Sequence, residues 1–262
     1  MSAPAVEPVP LDLAPRPGAA PVGQMLRAQT LAELRLTLRR GESVLLTLVI
    51  PLGLLVFFST VDVLPSGTGR SIDFVAPGVL ALAVLSTAFT GQAIATGFER
   101  SYGALKLLGA SPLPRGVLLA GKTLAVLGVE LLQVVLIAAV ALLLGWSPHG
   151  DPFSVLVLLL LGTAAFSALG LWMAGALRAE ATLAAANGLY LVLLMLGGVV
   201  FPLDRLPGWL AGAAHVLPST ALAAGLRSVL REGHVVPLGD AAVLAAWALV
   251  AGMAAARSFR WE

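Results

Sequence analysis

The most explicit chemical pattern lies at Gly116-Val-Leu-Leu-Ala-Gly121-Lys122-Thr123, which matches the G-x-x-x-x-G-K-T phosphate loop letter for letter. That motif works when a buried strand feeds a glycine-rich turn whose backbone N–H groups surround phosphates. Here Ser111-Pro-Leu-Pro-Arg115 precedes it, the four intervening residues are apolar, and a long apolar run follows. No apolar strand ending in aspartate stands ready to hold magnesium. The match is therefore one of chance, and Lys122 reads as a cation anchored at a membrane boundary. A second chemical position is Glu130, in the middle of the apolar run. Carboxylates in lipid are costly, so they mark function by default. Gln133, almost one turn on, shares its environment, and the pair forms a candidate translocation path. The competing reading is a hydrogen bond that packs two helices. No matching set of membrane carboxylates accompanies Glu130, which weakens an ion-coupled mechanism. His149, His215 and His234 lack metal-ligand spacing, and no Ser/His/Asp set falls on one face. With no cysteine, the chain has no disulfide framework, thiolate zinc site or catalytic thiol.

These residues need elements to hold them, and composition says what kind. The 262 residues are 58% hydrophobic and only 11% charged, whereas a soluble domain carries about 25% charged residues. Such a chain cannot cover itself with a polar exterior. An all-α integral membrane fold follows, because backbone groups in lipid must be satisfied within each segment. Six apolar runs are long enough to cross: about 43–61, 74–98, 116–144, 153–177, 181–203 and 236–256. Asp73 reads as the cap of the second, with Pro77 in its first turn. Trp146, after the third, suits a lipid interface. Pro202 reads as the end of the fifth. Gly170 and Ala174, four apart in the fourth, permit close helix packing. Net charge is +2, too small to point to nucleic acid.

Of the 16 lysines and arginines, only Arg70, Arg205, Arg227 and Arg231 fall on one side of these spans. The other twelve mark the cytoplasmic side, so both termini are expected inside. Residues 1–21, broken by Pro4, Pro8, Pro10, Pro15, Pro17 and Pro21 and carrying Glu7 and Asp12, read as a disordered cytoplasmic tail rather than a signal peptide. Residues 22–41 place Leu31, Leu34 and Leu38 on one stripe beside Arg35 and Arg39. That pattern fits an amphipathic helix on the inner membrane surface, with packing against the bundle as the other reading. Residues 204–235 are too polar to span, and Pro207, Gly208, Pro218 and Gly233 divide them. Short re-entrant outer helices between the fifth and sixth spans are expected there.

The cytoplasmic segment 99–115 reads Glu-Arg-Ser-Tyr-Gly-Ala-Leu-Lys-Leu-Leu-Gly-Ala-Ser-Pro-Leu-Pro-Arg. It is long enough for a short helix across the inner face, with Tyr102, Leu105 and Leu108 available to dock. A solvated loop fits equally. At this segment the sequence resembles the membrane subunit of ABC type 2 exporters. The family pattern of Glu-Arg-x-x-Gly, a leucine-rich turn and Ser/Thr-Pro is met by Glu99, Arg100, Gly103, Leu107, Leu108, Ser111 and Pro112. A second match runs from Gly198 through Pro202, Leu206, Pro207 and Trp209 to Leu217-Pro218 and Gly225-Leu-Arg227. The ending Arg257-Ser-Phe-Arg-Trp261 is also similar.

The resemblance covers about residues 22–261, and it implies several things. Residues 99–111, Tyr102 among them, would form a coupling helix seated on a separate ABC ATP-binding subunit. ATP and magnesium would belong to that partner, leaving this chain without cofactor, metal or catalytic residue. A second permease copy, or a related permease, would complete the path. Pro202, Leu206, Pro207, Trp209, Pro218 and Arg227 would build the outer re-entrant region. The implied function is export of a hydrophobic or amphipathic substrate (drug, antibiotic or lipid-like) across the cell inner or plasma membrane. The alternative is an ATP-independent carrier using Glu130. A membrane enzyme or anchoring protein is a third reading, which lacks a polar catalytic cluster at one depth.

Overall fold

The computed structural model describes residues 18–39, 41–61, 70–199 and 207–258. Most of the expected N-terminal tail, residues 1–17, lies outside them, as do Pro202 and Leu206. Among the described residues every regular element is helical. In chain order these are α1 (Val22–Arg39), α2 (Gly41–Thr60), α3 (Ser71–Val84), a π-helical turn (Leu85–Gly91), α4 (Gln92–Ser101), α5 (Ala104–Gly109) and α6 (Arg115–Leu143). There follow α7 (Pro152–Ala176), α8 (Ala179–Leu196), α9 (Gly208–Ala214), α10 (Pro218–Leu230) and α11 (Leu238–Ser258).

Five helices are long and apolar enough to cross a membrane: Ser71–Ser101, α6, α7, α8 and α11. The segment α2 adds 20 residues, about 30 Å at 1.5 Å per residue, and is apolar from Thr47 to Thr60. Together these overlap the six expected runs, although the apolar stretch of α2 is shorter than the other five. The short pair α9 and α10 bends by 85° at its break, the geometry of a broken span or of the expected re-entrant pair.

Helix ends follow local chemistry. Gly145 (φ +88°) ends α6: its N–H donates to Leu142, and the Trp146 N–H donates to Ala141 at 2.9 Å. This is a Schellman closure, in which glycine supplies the left-handed residue. The same closure folds Trp146 into the hydrophobic core, so this ring is a packing residue and not an interface anchor. Asp151 caps α7, accepting from the Phe153 and Ser154 N–H groups, with Pro152 in the first turn. The second span differs from expectation. Extended Arg70 is its N-cap, so Asp73 lies in the first turn and Pro77 inside the helix. The fifth span stops at Leu196, at Gly197-Gly198 and before Pro202, because Gly198 turns to φ +63°.

Without a hydrophobic force between helices in lipid, packing rests on small residues and buried polar bonds. The continuous segment α3–π turn–α4 is the centre of the bundle and is almost entirely buried. At Gly170 on α7, an added Cβ would stand 2.8 Å from the Phe89 carbonyl, so the π turn lies directly against that glycine. The close approach expected from Gly170 is thus made to backbone, and any larger residue there would force the helices apart.

The segment α1 packs along α6. Its contact face carries Gln29 and Leu34, against Gly121 and Gly128. Leu31 and Leu38 face outward with Arg35 and Arg39, while Leu34 turns away from them. The helix is amphipathic, but the expected stripe is divided between bundle and surroundings. No residue of α1 is fully buried.

Candidate functional site

The α5 end of the bundle collects the motif residues at 99–112. Gly103 adopts φ +77° with open space around it, a left-handed turn that a side chain would strain. That turn swings α5 across the end of the bundle. Leu105, 1% exposed, inserts against Leu118 on α6, and Leu108, Leu113 and Leu119 pack around the pair. Leu105 is therefore the anchor of α5 and is not available for docking. Leu107 and Tyr102 point the other way and are 78% and 81% exposed. Ser111 and Pro112 are exposed as well, and the Ser111 hydroxyl donates to the Leu108 carbonyl at 2.6 Å.

Glu99 and Arg100 turn inward. Arg100 donates to the Gly175 carbonyl at 2.7 Å and to the Leu177 carbonyl. It thereby caps the C-terminal end of α7, where a cation also meets the helix dipole. Glu99 lies 2.5 Å from Lys122, whose ammonium also contacts Glu33 on α1 at 2.8 Å. Lys122 is 4% exposed. One ammonium thus joins α1, α4 and α6. The phosphate-loop lookalike around it is the opening of α6 and has no loop in it. Sequence reasoning missed Glu33. Its signal was present: it is the acid within α1, on the face opposite Arg35 and Arg39.

A polar layer crosses the middle of the bundle. Thr163 on α7 donates to the Glu130 carboxylate. Thr87 on the π turn donates to Gln133 at 3.1 Å, and the Gln133 amide donates to the Thr47 carbonyl at 3.1 Å. Ser167 donates to Gln92 at 2.7 Å and lies 2.7 Å from the Thr123 hydroxyl. Glu130 and Gln133 are both buried, but they face different helices and neither lines the cavity beside α1. They pack helices together in this structure. That cavity, about 400 Å³, lies between α1, α2, the π turn with α4, and α6.

At the opposite end, Arg227 on α10 donates to the Gly198 and Val199 carbonyls at 2.6 and 2.8 Å. Its guanidinium lies 4.1 Å from the Phe74 ring centroid. It closes the non-helical end of α8 onto α3, and Gly78 leaves the space for it. Pro207 is the N-cap of α9, Pro218 opens α10, and Trp209 is exposed. Among the described residues no group of three or more His, Asp or Glu could hold a metal ion.

Comparison with known proteins places these features. The sequence profile described as "ABC-2 type transporter" matches residues 25–230. A curated relative, "ABC transporter G family member 20" of Dictyostelium discoideum, is 26% identical over 167 residues. That match covers 63% of this chain and 23% of the relative, so the chain spans about a quarter of the relative's length. The profile runs from α1 to α10 and takes in the α5 turn, the inward Glu99 and Arg100, the mid-span layer and the re-entrant pair. The chain belongs to the ABC-2 type transporter family.

Proposed function

We propose that this chain is the membrane-spanning permease subunit of an ATP-driven ABC exporter, moving a hydrophobic or amphipathic substrate out of the cytoplasm. A separate ATP-binding subunit would hold ATP and magnesium. The chain would sit in the cell inner or plasma membrane with both termini cytoplasmic, and a second permease copy would complete the path. The observation that carries this reading is the α4–α5 turn: Leu105 anchors the short helix from within while Tyr102 and Leu107 stand exposed at the end of the bundle.

The mechanics follow from the anchors. A partner pressing on Tyr102 and Leu107 would push α5, and Leu105 would pass the load to Leu118 at the start of α6. Arg100 ties α4 to the end of α7, and Lys122 ties both α4 and α6 to α1. These helices would shift together as a semi-rigid body. Glu99 and Arg100 on this reading transmit the load, whereas Tyr102 and Leu107 receive it.

The test is reconstitution with the ATP-binding subunit in vesicles. Leu107→Asp should abolish substrate transport while the chain still inserts and unfolds at the parent temperature. Gly103→Val, which strains the left-handed turn without meeting a neighbour, should uncouple ATP hydrolysis from transport. Full transport by the purified chain alone would overturn the proposal. Gradient-driven transport by the chain alone, abolished by Glu130→Gln, would instead establish a carrier.

A further inference from the structure

The 400 Å³ cavity borders the coupling end of the bundle, sharing Glu99, Tyr102 and Lys122 with it, and its volume falls within the roughly 300–1,000 Å³ typical of small-molecule sites. We infer that it binds a drug-sized cationic amphipath, with the positive group at Glu33 and Glu99 and the apolar body between α4 and α6. The inference deepens the exporter reading by naming a substrate class, and only its transport consequence rests on that reading.

Charge sets the preference. Glu33, Glu99 and Lys122 line the cavity, so two of these three charged residues are carboxylates. Both already hold Lys122, at 2.8 and 2.5 Å. An incoming ammonium or phosphonium would join the carboxylates as a second cation. An anion would have to displace a carboxylate from Lys122. Beyond the charged group the walls turn apolar: Phe98 from α4 faces Val126 and Val129 from α6. The Phe98 ring offers a cation–π surface beside Glu99.

The deeper wall has polar capacity to spare. Gln92 and Thr96, one turn apart on α4, both line the cavity, and both side chains are more than nine-tenths buried. Ser167 occupies the Gln92 carbonyl oxygen, while the Gln92 amide nitrogen and the Thr96 hydroxyl have no partner. Native proteins seldom leave buried donors unmatched. Both atoms are closed off in this arrangement, so a carbonyl or ether oxygen on the ligand would match them once the side chains turn toward the cavity. The cavity is partly open to the surroundings, with α1 forming one wall. The lining residues all come from one copy of the chain.

The experiment uses the purified full-length chain and an isosteric pair of probes, tetraphenylphosphonium and tetraphenylborate, by equilibrium dialysis in detergent. Saturable binding of the cation, with little of the anion, is expected. Glu33→Gln should weaken cation binding about tenfold, the scale of a lost hydrogen bond to a charged group. Val126→Trp should abolish it by filling the space. As the chain lacks cysteine, Ala95→Cys gives a single reporter in the cavity lining. The cation should slow its labelling by a small maleimide but leave a cysteine at Leu249, on exposed α11, untouched. That readout holds even where a cavity variant misfolds. Equal binding of both probes, or equal protection at Ala95 and Leu249, would overturn the inference. ATP-driven transport without cavity binding would sink this site and leave the exporter reading standing. Cavity binding without ATP-driven transport would do the reverse.

Discussion

Replacing Lys122 by methionine tests the ammonium that joins α1, α4 and α6. The substitution keeps chain length and apolar stem but removes the charge held by Glu33 and Glu99. Removing one partner of a buried ion pair costs about 3–5 kcal/mol, because the remaining charge stays desolvated. Here the carboxylates are 12% and 19% exposed and face a cavity, so the lower end, about 3 kcal/mol, applies. At about 2–4 °C per kcal/mol for a chain of this size, unfolding should fall by about 6–12 °C. Thermal unfolding in one detergent, followed by far-ultraviolet circular dichroism, measures it. The triple variant Lys122→Met, Glu33→Gln, Glu99→Gln carries no charge at the site and should return to within about 3 °C of the parent, since neutral groups carry a smaller desolvation cost. A Lys122→Met chain within about 2 °C of the parent, or a triple variant less stable than the single one, would refute the reasoning.

Arg100→Met should free the Gly175 and Leu177 carbonyls and cost about 1.5–3 kcal/mol, the range for hydrogen bonds to a charged donor. Arg100→Lys should recover only part of it, since an ammonium lacks the fork that reaches both carbonyls; the same unfolding assay ranks the three. Arg227→Met should cost about 2–4 kcal/mol by removing two carbonyl bonds and the contact with Phe74, and amide exchange should rise first in α10. The Asp151 carboxyl is held below its ordinary value of 3.8 by the Ser154 hydroxyl, then by the Ser154 and Phe153 N–H groups. A lowered folded-state value means its contribution is full above the ordinary value and is lost as pH falls through the lowered one. Unfolding temperatures from about pH 5 to about pH 3 should therefore fall more steeply in the parent than in Asp151→Asn, whose amide also caps a helix but does not titrate.

The spans were legible because lipid imposes one requirement on every helix, a long apolar run, and composition displays it directly. The bent pair α9 and α10 was legible for the complementary reason: Pro207 and Pro218 interrupt runs too short to cross. The details of the ends were less so. Asp73 has the side chain of an N-cap, but extended Arg70 starts the helix earlier. Trp146 has the side chain of an interface anchor, but the left-handed Gly145 folds it into the core. In each case residue type stated a capacity, and a backbone turn nearby decided which capacity was used. The π turn carried no signal in Leu-Ser-Thr-Ala-Phe-Thr-Gly, and the packing it makes, the Phe89 carbonyl against Gly170, joins residues far apart in sequence.

The same logic explains why the 99–112 motif splits. Glu99 and Arg100 are the residues one would choose for docking on a charged partner, and they are equally suited to pinning helix ends. The second use follows from their place in the last turn of α4, before Gly103 reverses the chain. A side chain there still follows the helix face, and that face meets Lys122 on one side and the end of α7 on the other. After Gly103 the face changes, and α5 presents Leu105 inward and Leu107 outward. Charge reversal at Glu99 or Arg100 should therefore lower stability and coupling together. Substitution at Leu107 should lower coupling alone, and that separation distinguishes a residue that carries load from one that receives it.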